Sequence, residues 1–310
     1  MTTAFVLSGG GSLGAVQVGM LQALNARGIE PDLLVGTSAG AMNAAWLAVH
    51  GTSADSLAEL EGVWTRLRRG DVFPLAVRTA VRGLLGRAPA VTSPDRLRTL
   101  VAGHAGAVRL EDALVPTHLV TADLITGQNV TLSAGPLVDA VLASSSIPGV
   151  FPPVTWSDPD LGDRYLVDGG VAHRTGLAEA VDLGATLVYV LPAGSACALP
   201  APPSSALGTA LHALTLLIEQ RQARDVAALT GAVTLKVLPP LCPLRISAAD
   251  FTHGAELVRR ARHASLRWID SGDIDLPAPE RFLAAHRHAG LADQPCPHPA
   301  EQPAGGPRAA

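Results

Sequence analysis

Cysteine is nearly absent: the 310 residues hold three, Cys197, Cys242 and Cys296, far apart and without a C-x-x-C pair. An odd number so spaced fits neither a disulfide framework nor a thiolate zinc site, and it suits a reducing compartment. Lysine is scarcer still, with Lys236 alone among 23 basic residues. Given the many alanines, we read this as a compositional habit rather than as function. No run of about 18 apolar residues appears, so a membrane-spanning helix is not expected. Charged residues make up only 16% of the chain and the net charge is −4, which gives no reason to expect nucleic acid as a partner. A signal peptide has no room, because a strand-like run begins at Thr3 and a glycine loop at Gly9. A cytoplasmic protein is therefore expected. No internal repeat is visible.

Apolar residues are plentiful, at 48%, and a chain of this length can bury a substantial core. Thr3–Leu7 reads as a buried strand, and the helix after the glycine loop carries Val16, Met20, Leu21 and Leu24 before Gly28 closes it. A second apolar run, Leu33 to Val35, leads into Gly36-Thr37-Ser38-Ala39-Gly40 and an Ala-rich helix. Strand, helix, strand, helix in 50 residues predicts a parallel sheet of βαβ units, with its ligand site at the carboxyl ends of the strands. Both glycine-rich turns fall at those ends. Residues 51–110 differ, being helical and basic: from Trp64 to Arg109, nine arginines against two aspartates leave +7. Leu75, Val77, Val81, Leu84 and Leu85 interleave there with Arg78, Arg82 and Arg87. Such a segment can rest on an anionic membrane, although a solvated cap whose arginine stems cover apolar neighbours is the expectation we favour.

Further strands are expected at Thr117–Leu124, Tyr165–Gly170, Ala185–Leu191 and Val233–Leu238, with a short extended piece at Asn129–Leu132. Helices are expected at Pro136–Ala143, Leu177–Leu183 and Leu207–Leu229, and over the segment carrying Leu257, Val258, Leu266 and Trp268, with Asp250 as its cap. The domain should run from 1 to 275, leaving 276–310 as a Pro/Ala/His-rich tail without structure.

Gly36–Gly40 is a G-x-S-x-G turn between a strand and a helix, the context a nucleophile elbow requires. Ser38 is then the candidate nucleophile, with Gly36 and Gly40 leaving room for so sharp a turn. A serine hydroxyl needs a base, and its attack needs donors for the oxyanion. Successive N–H groups of a glycine loop can converge on a small anion, which makes Gly10, Gly11 and Ala39 the candidate donors. Asp168 ends a strand and precedes Gly169-Gly170, so it is the best-placed base. Its reference pKa of about 3.9 would have to rise by burial for that work.

These pieces together resemble the patatin-like phospholipases. A G-G-G-x-x-G loop (Gly9–Gly14), a G-T-S-A-G elbow (Gly36–Gly40), an A-S-x-S-x-P-x-x-F-P-P block (Ala143–Pro153) and a D-G-G (Asp168–Gly170) stand in the family's order. The resemblance covers roughly residues 3–270. It implies a three-layer α/β/α sandwich with a mostly parallel central sheet and a Ser38–Asp168 dyad, with Gly9, Gly10 and Gly11 lining the oxyanion site. It further implies hydrolysis of fatty-acyl esters of lipids without metal or cofactor. Two positions depart from the pattern. Leu13 stands where the family usually has Arg or Lys, and Val171-Ala-His173 follows the D-G-G in place of the usual Asn and Pro. His173 is a candidate auxiliary to Asp168, or a solvated loop histidine.

Other readings can be set against this one. Gly9, Gly11 and Gly14 also fit a dinucleotide-binding G-x-G-x-x-G, but that fold wants an acid at the end of the second strand, where the elbow stands. A Ser–Asp–His triad of the α/β-hydrolase kind would place the elbow after several strands and a histidine late in the chain, and His212, His253 and His263 fall in helical stretches. A catalytically silent lipid- or partner-binding protein of the same fold has Leu13 as its only support.

Overall fold

A computed structural model describes residues 1–74, 77–158 and 162–276, together with 279 and 283. In chain order the elements are β1 (Thr3–Leu7), α1 (Gly14–Asn25), β2 (Leu33–Gly36), α2 (Ala39–His50), α3 (Ala54–Arg66), α4 (Arg69–Val72), α5 (Val77–Leu84) and α6 (Asp95–Ala105). They continue with β3 (Thr117–Asp123), β4 (Asn129–Leu132), α7 (Leu137–Ser144), β5 (Val154–Asp158), β6 (Gly162–Asp168) and α8 (Gly176–Asp182). Last come β7 (Leu187–Leu191), α9 (Ala206–Leu229), β8 (Thr234–Val237) and α10 (Gly254–Asp270).

Hydrogen-bonded neighbours in the sheet follow the order β5-β6-β3-β2-β1-β7-β8, with β4 also on β3. The strands from β3 to β8 along that order are parallel, whereas β4, β5 and β6 run antiparallel to their partners. Period-2 alternation separates the helix layers. Gly36 faces α2, since a Cβ there would lie 2.8 Å from Ala41 Cα and Ala44 Cβ. Val35 points the other way, with its Cγ1 against Gly176 at the start of α8. The two βα units and α8 thus cover opposite faces, and the architecture is the expected three-layer sandwich.

The two edges of β3 decide where the chemistry sits. Leu119 pairs with both Gly36 of β2 and Leu132 of β4, and Thr121 pairs with both Val130 of β4 and Asp168 of β6. β4 therefore occupies one edge of β3, while β2 and β6 share the other, end to end. Running antiparallel, their carboxyl ends meet opposite β3 residues only two apart, so the elbow after β2 faces the end of β6.

The predicted strands and helices recur with end shifts of a few residues. Asp250 does not cap α10: its Oδ1 accepts from the Thr252 N–H and hydroxyl in a local turn, and His253 occupies the cap position without a side-chain bond to the helix backbone. A turn aspartate satisfies the neighbouring backbone first, and this one lies too far before the helix to do both. Residues 51–110 are helical, although Leu75 and the side chains of Val77, Arg78 and Leu84 lie outside the described residues. The 276–310 segment lies almost wholly outside them too.

Candidate active site

Ser38 has φ 55° and ψ −120°, and among the described residues it alone combines a side chain with positive φ. Such strain is kept only where the surroundings over-determine it. Ahead of it, Thr37 N–H donates to the Leu7 carbonyl at 3.0 Å, locking the elbow to the end of β1. Ser38 N–H donates to Ser144 Oγ at 3.0 Å, and that hydroxyl donates onward to the Val120 carbonyl at 2.7 Å. Behind it, Gly40 lies so close to the Leu7 carbonyl that a Cβ would collide with backbone. The serine hydroxyl is thereby presented at the N-terminus of α2, where the helix field favours negative charge.

Asp168 is wholly buried. Its N–H donates to the Ser146 carbonyl at 2.9 Å, and its Oδ1 accepts from the Gly170 N–H at 2.7 Å. Oδ2 is buried without a partner in hydrogen-bond geometry. Burial drives the pKa of this carboxyl up to about 6, and the Ser38 hydroxyl, followed by the Gly170 N–H, holds it from rising further. Ser38 therefore lies close enough to act on the carboxyl's charge but short of a formed hydrogen bond. Contacts of this kind are commonly long in unliganded sites.

The glycine loop forms the opposing wall. A Cβ built on Gly9 would be 3.1 Å from Ser38 Cβ, so loop and nucleophile are immediate neighbours. Gly11 has φ +57°, and a side chain there would lie 2.6 Å from the Ala248 carbonyl. Among the described residues no hydrogen bond occupies the N–H of Gly9, Gly10, Gly11 or Ala39. A buried relay fixes the loop from below. Gln17 Nε2 donates to the carbonyls of Ser8 and Leu191, Asn43 Nδ2 donates to Gly14 O and Gln17 Oε1, and Trp64 Nε1 donates to Asn43 Oδ1 at 2.7 Å. Gly11, Ser38 and Ala39 open on a narrow cavity whose other walls are chiefly apolar, Met42, Leu67, Phe73 and Phe151 among them.

Ser38, Asp168, the loop glycines and Ala39 are thus brought together, and Gly36 and Gly40 flank them. His173 is exposed and makes no hydrogen bond to Asp168 among the described residues. Leu13 is fully buried in the core, so position 13 contributes packing here, not charge. Asp32, just before β2, accepts from Thr3 N–H at the opposite end of β1 from the glycine loop, so it is not placed to hold a ribose there. His253 pairs with Asp250 and Glu256.

Sequence reasoning missed the part played by Ser144, Ser145 and Ser146. They were legible only as members of the Ala143–Pro153 block, with no role attached, yet Ser144 holds the N–H of Ser38, Ser146 holds the N–H of Asp168, and Ser145 Oγ approaches the Ser38 carbonyl at 3.4 Å. A run of three serines after a helix hints at such a clamp, but nothing local says what it grips. Gln17 and Asn43 were missed for the same reason, being polar residues within apolar helices.

An uncharacterized NTE family protein of Mycobacterium tuberculosis strain CDC 1551 is 31% identical over 169 residues, which is 54% of this chain and 26% of that protein. Another from the same strain is 30% identical over 200 residues, covering 64% and 51%. Patatin-like phospholipase domain-containing protein 7 of Rattus norvegicus is 29% identical over 196 residues, covering 62% and 14%. The chain thus spans between about a seventh and a half of these relatives. Among solved structures, VipD from Legionella pneumophila aligns with a TM-score of 0.40 at 14% identity over 85% of this chain and 67% of that one. The model of the patatin-like phospholipase family matches residues 5–181, a span that runs from β1 through the elbow, the serine block and Asp168 into α8. With those motifs in place, the chain belongs to the patatin-like phospholipase family.

Proposed function

We propose that the chain is a serine acyl hydrolase that cleaves fatty-acyl esters of lipids through Ser38 and Asp168, of the phospholipase A or lysophospholipase type. The observation that carries this reading is the pairing of a backbone-strained serine with a buried carboxyl whose pKa is raised to about 6 and whose Oδ2 has no other partner. Near neutral pH that carboxyl is ionised yet basic enough to accept a proton. Asp168 takes the proton of Ser38 as Oγ attacks the ester carbonyl. The tetrahedral oxyanion is received by the N–H groups of Gly10, Gly11 and Ala39, with Gly9 beside them. Collapse breaks the bond to the leaving alcohol, which takes the proton from Asp168, and the acyl group stays on Ser38. Water then attacks the acyl-serine, Asp168 accepts its proton and returns it to Ser38, and the fatty acid leaves.

Among the described residues no helix is long and apolar enough to cross a membrane. We propose that the protein works from the cytoplasm and meets its lipid at the membrane surface through the arginine-rich 64–109 region. A fluorophosphonate probe tests the core of this reading. It should label Ser38 and no other serine, and Ser38→Ala should remove both labelling and cleavage of a p-nitrophenyl acyl ester. Labelling elsewhere, or residual cleavage at the wild-type rate, overturns the assignment.

A further inference from the structure

We propose that a second cavity, lying end to end with the one at Ser38, holds the distal part of a long acyl chain and selects for such chains. This inference rests on the acyl-hydrolase reading and adds the substrate class. One stripe of α2 carries Ser38, Met42, Trp46 and His50, spaced four residues apart, so the stripe leads away from the nucleophile for about 18 Å. The cavity at Ser38 occupies the first turn of that stripe. A second, narrow cavity occupies the rest, walled by α3 through Leu60 and by α6 through Val101 and Ala105. Met42, Trp64 and Leu67 line both, so these three residues stand where the two cavities adjoin. Met42 is half-buried, and its unbranched thioether can change rotamer at small cost.

The wall chemistry identifies the occupant. Every polar group of the inner wall is already used: Trp46 Nε1 donates to the carbonyl and hydroxyl of Ser56, Trp64 Nε1 donates to Asn43 Oδ1, and Asn43 Nδ2 donates to Gly14 and Gln17. A headgroup or sugar placed there would lose its hydration and find no partner. An alkyl chain loses nothing and removes apolar surface from water with each methylene. At the far end stand the exposed His50 and His104, the His50 ring 4.3 Å from that of Trp46 and its Nε2 3.1 Å from the His104 carbonyl, so the apolar stretch ends there at the surface.

The test reads binding and turnover separately. Ser38→Ala protein is mixed with a palmitoyl ester brominated near its methyl end, and tryptophan fluorescence is recorded. Quenching is expected, and Trp46→Phe should remove most of it. Ala105→Phe, or Ala45→Leu filling the same space from α2, should weaken palmitoyl binding at least tenfold. In the Ser38-containing enzyme either change should lower the palmitate-to-butyrate ratio of kcat/KM at least tenfold. Two filling variants on different helices guard against a folding defect in one of them. Absence of quenching, or filled variants that bind and cleave palmitoyl esters as wild type does, overturns the proposal. Quenching that responds to both fillings in a protein without esterase activity sustains the cavity and removes the acyl-hydrolase reading.

Discussion

The floor and the roof of the site are held by different forces. The floor is the elbow, the glycine loop and the end of β6, and it is fixed by short backbone-directed hydrogen bonds: Thr37 to Leu7, Ser38 to Ser144, Asp168 to Ser146. The roof is α3, α4 and α6, and it packs over the site mainly through apolar contacts such as Phe73 on Phe151 of the loop after α7, with ring centroids 5.6 Å apart, and the buried Leu67 and Leu97. Hydrogen bonds fix direction, which oxyanion donors and a nucleophile require. Apolar contacts fix proximity and tolerate sliding, which suits a wall that must admit chains of varied shape. Trp64 joins the two, being a roof side chain whose indole N–H reaches the floor at Asn43.

Changes in the floor should therefore strike kcat, and the largest effect beyond Ser38 itself is expected at Asp168. Asp168→Asn should lower kcat/KM by about 10³-fold, within the range of a lost general base. In the wild type kcat/KM should rise with pH through about 6, as Asp168 ionises, and this limb should vanish in the variant. Stability should move the opposite way. The folded pKa is about 6 and the ordinary value 3.8, so between those values the native state binds more protons than the unfolded chain. Wild-type stability should then fall as pH rises from about 4 to about 6, by up to about 3 kcal/mol, and stay at the lower level above that. Asp168→Asn should show no such decline. A Tm profile that rises with pH over this window, or a variant that keeps the acid limb, would separate Asp168 from the chemistry.

Ser144 comes next. It touches no substrate, and its hydroxyl acts through the N–H of Ser38. Ser144→Ala leaves that N–H and the Val120 carbonyl without their buried partner, at a cost of about 1–3 kcal/mol. If the hydroxyl positions the elbow, kcat should drop about tenfold with KM little changed and the pH limb at about 6 retained. A fall in Tm with kcat intact would reduce Ser144 to a packing role.

How much of this was legible beforehand follows the same division. β1, β2 and the elbow could be read because short apolar runs end in glycines whose positions the backbone itself demands, at Gly40 above all. Asp168 could be singled out as a strand-end acid, but its meeting with Ser38 depends on β2 and β6 sharing one edge of β3. No local pattern encodes that arrangement, because register between distant strands is set by the whole sheet. The clamp of Ser144 and Ser146 and the relay through Gln17 and Asn43 were hidden for the same reason: apart from Ser8, 9 residues from Gln17, their partners lie 21 to 174 residues away in sequence. In the roof the basic composition was plain. Which helix faces wall the cavity was not, since hydrophobic periodicity gives a face but not its neighbour.

The smallest expected effect on turnover lies on the outside of the roof. In α5, Arg82 is exposed and Val81 is 48% exposed, and Leu85 just beyond the helix is 61% exposed with Arg87 exposed nearby. Side by side, these groups can meet lipid headgroups and the top of the acyl layer together. Each basic residue near an anionic surface contributes about 1 kcal/mol, so Arg82→Glu with Arg87→Glu should cut sedimentation with phosphatidylserine vesicles at low salt by tenfold or more. Added salt should erase the difference between variant and wild type. Turnover of a water-soluble butyrate ester should respond far less than vesicle binding, because neither arginine lines the cavity at Ser38. Equal sedimentation of the two proteins at low salt would return this surface to the role of a solvated cap, with the arginine stems merely covering apolar neighbours.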